Sequence, residues 1–284
     1  MLKKGLVKQC VYFIISVFII GFLSCKEEKA KDGHADELTA NNSSSLELDH
    51  LNIWVTDPQL AKEKLASIGF TGVPDSLSQV HHGQGTSGRY FNFLNTYLEL
   101  IFVYDSLVLL ENNRKNENLD FTLRANNKKN GASPFSIALK MNEYNADKIP
   151  FEKVLYHQSW MEEKANIYSA KNSKINLGEP SVFVVYPEIE AANFASIAEL
   201  ERFPSDDDSW KSFFKHPNGA QNITQVVIKS ANVDLTTETM KAINALENVE
   251  VKDGEEHLME LFFDGNAQGK TFDLRPELPL IIHI

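Results

Sequence analysis

The chain has 284 residues, 43% of them hydrophobic, with 28 basic against 39 acidic side chains and a formal charge of −11. That is enough apolar material for an ordinary core and enough length for one large or two small domains, which excludes a fibrous or wholly disordered protein. The acidic balance also argues against a nucleic-acid partner, because phosphate binding needs clustered Lys and Arg.

The chain begins with a basic stretch at Lys3, Lys4 and Lys8, then an apolar run from Val11 to Leu23 that is short for a bilayer span, then Phe22-Leu23-Ser24-Cys25. This resembles a bacterial lipoprotein signal, with residues 1–24 removed and Cys25 lipidated; an uncleaved membrane anchor is the alternative. The resemblance implies export and a lipid-anchored protein on the outer membrane, facing the periplasm or the cell surface. Loss of the signal leaves 25 basic against 39 acidic residues, about −14. Cys10 and Cys25 are the two cysteines of the sequence, so the remainder has no thiol for catalysis and no disulfide. Residues 25–45 carry almost no large apolar side chain and read as a disordered tether spanning roughly 25 Å.

Residues 46–105 read as a first β-α-β-β-β unit. In LELDHLNIWVTD (46–57), Leu51, Ile53 and Val55 share one face of a strand, and Leu48, His50, Asn52 and Trp54 share the other. Asp57 is a good N-cap for a helix to Ile68, Pro58 suits its first turn, and Gly69 closes it. Strands near Phe70–Asp75 and Gly88–Leu94 follow, joined by HHGQGTSGR, in which His81 and His82 read as an exposed turn. The strand TYLELIFVY sets Tyr97, Glu99, Ile101 and Val103 on one face and Leu98, Leu100 and Phe102 on the other.

Residues 106–133 lack periodicity past Leu110 and read as a long surface loop. A second, looser unit covers 134–187. In the connecting segment 188–221, Phe194, Ile197 and Leu200 form an amphipathic piece, and Trp210, Phe213 and Phe214 are expected to brace the sheets or form a lid. A third unit covers 222–284, with a helix near Thr236–Leu246 and strands at Ile223–Ser230, near Val249, at Leu258–Asp264 and at Leu280–Ile284.

LDHLNIWV, GTSGR, YLEL and HPNGAQNITQVVI together resemble the glyoxalase-like members of the vicinal oxygen chelate superfamily. The resemblance implies an α+β fold in which βαβββ modules pair into an open, curled, mixed β-barrel with helices outside. It also implies a divalent metal in the concavity, held by a residue from the first and the fourth strand of each paired module. Carried over residue by residue, these positions fall on His50 and Glu99 in the first unit and on Gln225 and Glu260 in the third. The second unit departs from the pattern, offering Ser136 and Phe183. One His, one Gln and two Glu would suit Zn, Ni, Co or Mn.

If the metal is present, the implied chemistry is that of a lyase or isomerase, with Glu99 or Glu260 as general base on a chelated small oxo or hydroxy compound. Trp54 and Tyr97 would supply apolar contact to it, and Thr86 and Arg89 would line the mouth, Arg89 offering a fork for an anionic group. A metal-free small-molecule binder with the same fold is the alternative, and the resemblance leaves room for a homodimer.

Overall fold

The structure, a computed structural model, describes residues 46–158, 161–163 and 165–284. The signal and tether readings, Cys25 included, lie outside these residues. No helix among the described residues is long and apolar enough to cross a membrane.

The first unit runs β1 (Leu46–Trp54), α1 (Pro58–Ser67), β2 (Val80–His81), β3 (Thr86–Asn92) and β4 (Tyr97–Val103). The Asp57 carboxylate caps α1 by accepting from the Leu60 amide at 2.9 Å. No strand forms at 70–75; that stretch runs into a 3-10 turn at Asp75–Leu77, and the short β2 replaces it at the sheet edge.

The 106–133 segment is not a loop. It folds into α2 (Ser106–Lys115), α3 (Phe121–Ala125) and α4 (Asn127–Asn130), with Asp105 accepting from the Leu107 and Val108 amides to start α2. Simple periodicity hides these helices because they bury so little: Leu109 and Asn112 in α2, Arg124 in α3 and nothing in α4. The second unit follows as β5 (Phe135–Met141), β6 (Lys153–Tyr156), β7 (Ile167–Ala170), α5 (Asn172–Ile175) and β8 (Ser181–Val184), with a 3-10 turn in place of the first unit's helix.

These two units form one eight-stranded sheet, in the order β2-β3-β4-β1-β5-β8-β7-β6. β1 runs parallel to β4 and antiparallel to β5, so the units join back to back through their first strands. The sheet curls into a half-barrel with helices outside, the α+β architecture implied by the resemblance. Its convex face carries Leu51, Ile53, Leu98, Leu100, Phe135 and Ile137 into a core shared with Ala61 and Leu65 of α1.

The remaining elements are α6 (Ile197–Arg202), β9 (Ile223–Ser230), α7 (Glu238–Asn244), β10 (Val249–Asp253), β11 (Leu258–Phe263), β12 (Thr271–Asp273) and β13 (Leu280–His283). The third unit does not enter the half-barrel. It makes its own five-stranded sheet, ordered β10-β9-β11-β13-β12, with β9 parallel to β10 and antiparallel to β11. Val226, Ile228, Met259, Leu261 and Ile282 from this sheet join the convex core. Phe263 meets Phe70 and Phe93 of the first unit at ring separations of 5.2 and 4.7 Å.

His216 ties the parts together, its Nε2 donating to the Asn92 carbonyl and its Nδ1 accepting from the Thr71 amide, both at 3.0 Å. Phe194, Leu200 and Phe214, flanked by Ile197, Phe203 and Trp210, pack as a small separate core around Leu94 at the β3–β4 turn, a brace at one end of the sheet.

Candidate active site

One irregularity in β1 sets the site. Leu48 pairs with Leu139 and His50 with Ala138, so Asp49 is an extra residue bulged out of the ladder. The bulge shifts the alternation by one residue. Leu48 therefore joins Leu51 and Ile53 in the convex core instead of sharing a face with His50, as strict alternation predicts. The bulged Asp49 is fully buried and beside the next ring: His50 Nδ1 donates to Asp49 Oδ1 at 2.5 Å, and the Ala191 amide donates to Oδ2 at 2.8 Å. With Nδ1 committed to a carboxylate, His50 Nε2 is the ring nitrogen left over, and it makes no hydrogen bond among the described residues.

The sheet register places the other concave-face groups. Tyr97 lies opposite His50 and Glu99 opposite Asn52 across β1–β4, while Tyr90 lies opposite Glu99 across β3–β4. His50 and Glu99 thus share the concave face of neighbouring strands, two residues apart in register. Tyr97 stacks on the His50 ring at 4.2 Å, and Phe183 from β8 meets it edge-on at 5.6 Å. Ser136 lies opposite Asn52, so the second unit lines the concavity with a hydroxyl and a phenyl ring where the implied metal pattern wants ligands.

Glu99 is the most constrained group. It is 4% exposed, its Oε1 has no hydrogen-bond partner, and Asn52 Oδ1 on the adjacent strand is a second buried oxygen without one. Burial pushes the Glu99 carboxyl up to about 8, against the neighbouring Tyr90 hydroxyl, which favours the ionised form. Burial first, and the Glu99 charge second, hold the Tyr90 and Tyr97 hydroxyls well above their ordinary range. Room for this carboxyl depends on Gly88: a Cβ there would run into Glu99 Oε1 and the Tyr90 hydroxyl.

His81, read from sequence as part of an exposed turn, belongs to this cluster. Its Nε2 lies 2.9 Å from the Tyr90 hydroxyl and 3.4 Å from Glu99 Oε1, and its Nδ1 is 2.7 Å from Thr86 Oγ1. Burial, helped by His50 and His82, pushes His81 down to about 4, so the ring is neutral near pH 7. The sequence signal was available in the loop glycines. Gly85 takes φ +80°, and its bare Cα lets the start of α2 come close, with the Gly85 carbonyl accepting from the Tyr104 and Asp105 amides. The loop is thereby folded back onto the sheet, carrying His81 inward.

The other expected residues divide clearly. Thr86 is fully buried within the cluster, and Trp54 lies at the concave end of β1, 6.5 Å from Phe121 of α3. Arg89 does not line the concavity. Strand alternation puts it opposite Leu100 on the convex side, where it pairs with Asp75 at 3.2 Å and sits 4.8 Å from the Phe102 ring centre. Gln225 and Glu260 lie in the five-stranded sheet, and the structure does not bring them to His50 and Glu99. Gln225 is exposed opposite Phe262. Glu260 bonds to Lys229 at 2.6 Å and His283 at 3.2 Å.

The four residues therefore do not fit as one metal-binding set, and among the described residues no group of three His, Cys, Asp or Glu side chains gathers as one. What the concavity does hold is a carboxyl poised to exchange a proton near neutral pH, an uncommitted imidazole nitrogen, a phenol hydroxyl and a second, neutral imidazole. That inventory suits proton transfer to or from a bound molecule.

No family model matches the sequence, and no curated protein matches it. Among solved structures, the chain is similar to a hypothetical protein from Staphylococcus aureus, at 14% identity and TM-score 0.49, covering 84% of this chain and 98% of that one. It is also similar to the methylmalonyl-CoA epimerase of Mycobacterium tuberculosis, at 14% identity and TM-score 0.32, covering 49% of this chain and 87% of that one. The Streptomyces coelicolor methylmalonyl-CoA epimerase in complex with 2-nitronate-propionyl-CoA matches at 16% identity and TM-score 0.33, covering 51% and 97%.

Proposed function

We propose that this chain is a glyoxalase-like small-molecule enzyme, a lyase or isomerase that moves a proton on the carbon next to a carbonyl of a small oxo or hydroxy compound. The observation that carries the reading is Glu99: a buried carboxyl on the concave face, one oxygen unpartnered, its proton affinity raised to about 8. A group at that value can both give and take a proton near neutral pH, which is what an acid–base catalyst needs. His50 supplies the complementary partner, because Asp49 holds Nδ1 and leaves Nε2 to accept. Tyr97, Phe183 and Trp54 supply apolar contact area around them.

Of the four expected metal donors only His50 and Glu99 share this face, too few for the four-residue site the resemblance implies. No step here is routed through an ion. The N-terminal reading adds that the enzyme is exported and held to a membrane through a lipid on Cys25. Mass spectrometry of the membrane fraction would detect that modification, and Cys25→Ala should release the protein.

The test of the activity is solvent deuterium exchange into a panel of small 2-oxo and 2-hydroxy compounds, followed by proton NMR. The wild type should incorporate deuterium next to the carbonyl, and Glu99→Gln should lose exchange at least 100-fold, within the usual contribution of a general acid–base, while keeping its circular dichroism. A panel in which compounds raise the melting temperature equally in wild type and Glu99→Gln, with no exchange in either, would favour the metal-free binder. Melting curves with added Zn, Ni, Co or Mn test the ion directly: a stabilisation lost in both His50→Ala and Glu99→Ala would restore it.

A further inference from the structure

A chain of hydrogen bonds reaches the concavity from the surface, and every link that has a defined sense donates in the same direction. Gln158, just after β6, donates from Nε2 to the Tyr156 hydroxyl at 2.7 Å and to Asn112 Oδ1 of α2 at 3.0 Å. Tyr156 donates to Gln84 Oε1 at 3.0 Å, and Gln84 donates from Nε2 to Thr86 Oγ1 at 2.8 Å. Thr86 is 2.7 Å from His81 Nδ1, and His81 Nε2 is 2.9 Å from the Tyr90 hydroxyl beside Glu99. The sense is anchored at the outer end, where Gln158 Nε2 meets the Gly83 backbone carbonyl at 3.4 Å, an acceptor that cannot turn round.

The consequence follows from counting hydrogens. A threonine hydroxyl has one proton. Its oxygen accepts from Gln84, and because Thr86 is fully buried, leaving its proton undonated would cost the desolvation penalty, so the proton goes to the one other partner, His81 Nδ1. A ring nitrogen that accepts carries no proton, and a neutral imidazole must then carry it on Nε2, the atom facing Tyr90 and Glu99. Tyr90 in turn accepts from His81 and keeps its own proton for the Glu99 carboxyl.

We infer that His81 is a positioning residue, locked by Thr86 and Gln84 in its Nε2–H form, which points Tyr90 as a hydrogen-bond donor at Glu99. The inference rests on the reading of Glu99 as the reacting group, and it assigns the second unit a part in the site: Tyr156 and Gln158 of that unit set the orientation of a donor in the first. The lock makes the donor to Glu99 a fixed feature of the fold, so no reorganisation is needed when charge develops there.

Nitrogen-15 NMR of histidine-labelled full-length protein reads the lock directly, because the protonated and bare ring nitrogens have separate signals. The wild type should show His81 protonated on Nε2 and bare at Nδ1. Thr86→Val, nearly the same size without the donor, should shift the ratio of the two neutral forms about tenfold toward Nδ1–H, the range of one lost hydrogen bond; Thr86→Ser should restore it. A wild-type ring protonated on Nδ1, or a ratio unchanged in Thr86→Val, would overturn the inference. Should Thr86→Val not fold, Tyr156→Phe removes the link that orients Gln84 and should move the ratio the same way, and the wild-type spectrum decides by itself. Absence of exchange activity in the wild type would instead count against Glu99 alone, since the nitrogen signals do not depend on turnover.

Discussion

Glu99 and Glu260 stand in similar sequences, YLELIF and LMELFF, each in mid-strand, and their chemistry has diverged completely. In the eight-stranded sheet, the face bearing Glu99 is covered, and burial drives the carboxyl up to about 8. In the five-stranded sheet, burial also works to raise Glu260, but the hydrogen bonds from Lys229 and His283 outweigh it and hold the carboxyl below its ordinary value. Burial sets the proton affinity of one carboxyl near neutral pH; ion pairing holds that of the other below its ordinary value. The difference comes from what surrounds each carboxyl: His81, Tyr90 and Tyr97 close around Glu99, whereas Lys229 and His283 pair with Glu260.

Loosening the segment between the two units, whose Phe121 meets Trp54 at the end of the concave face, should have the largest effect. Arg124 of α3 is fully buried, pairs with Asp120 at 2.7 Å, and donates to the carbonyls of Ser133, Leu177 and Glu179 at 2.7 to 3.1 Å. It fastens 106–130 to the second unit. Arg124→Met would leave the Asp120 charge buried without its partner, a loss of about 3–5 kcal/mol. Urea unfolding should register it, and amide exchange should show 106–130 opening first. A loss below about 1 kcal/mol would mean that the segment is held by other contacts.

This latch also shows where sequence reading stops. The paired strands were legible, because β4 alternates cleanly, β1 does so from His50 onward, and β5 repeats the pattern with Phe135, Ile137, Leu139 and Met141. The partner of the first unit was not, since the third unit offers better ligand types at its strand positions while the second offers Ser136 and Phe183. Ligand type proved the weaker guide, and the direct ladder between β1 and β5 governs. Arg124 looked like one more surface charge, because its value lies in carbonyls 9 to 55 residues away along the chain. The bulge at Asp49 was hidden for the same reason, and the inward fold of His81 leaves no periodic trace either, its one sequence mark being the loop glycines that let α2 approach.

Glu99→Gln tests the comparison through pH. A carboxyl whose folded value is raised to about 8 keeps its proton in the folded state after the unfolded state has released it, near 4.5. Folding stability therefore falls as pH rises through that window. Glutamine removes the penalty, so the variant should gain on the wild type from about pH 5 to about pH 8 and stay level above, by a few kcal/mol at roughly 1.4 per pKa unit. His81 and His216, both pushed down to about 4 by burial, should produce the opposite slope on the acid side, stability falling as pH drops from 6.5 toward 4. Urea midpoints across this range check both arms; parallel curves for wild type and Glu99→Gln would show that burial does not control this carboxyl.

Gly88→Ala probes the same site by volume alone. The added methyl meets Glu99 Oε1 and the Tyr90 hydroxyl, groups held in one cluster with His81, and overpacking of this kind costs about 1–3 kcal/mol. Exchange activity should fall with it, since the methyl takes the space between acid and donor. Retained activity and stability together would place the reacting group elsewhere.

The smallest effect is expected from Glu260→Gln. Lys229 keeps 39% of its side-chain surface exposed, so water and salt screen the pair, and such pairs contribute about 0–1 kcal/mol. Its sign is the useful part. A carboxyl held below its ordinary value stabilises the fold above about 4.5 and loses that contribution as pH falls through its lowered value. The Glu260→Gln curve should therefore lie slightly below the wild type at neutral pH and merge with it in acid, while the Glu99→Gln curve lies above the wild type and merges with it below about pH 4.5. Two glutamates in similar strand sequences would then give difference curves of opposite sign, and adding 0.5 M salt should flatten the Glu260 curve and leave the Glu99 curve in place, because screening reaches only the exposed pair.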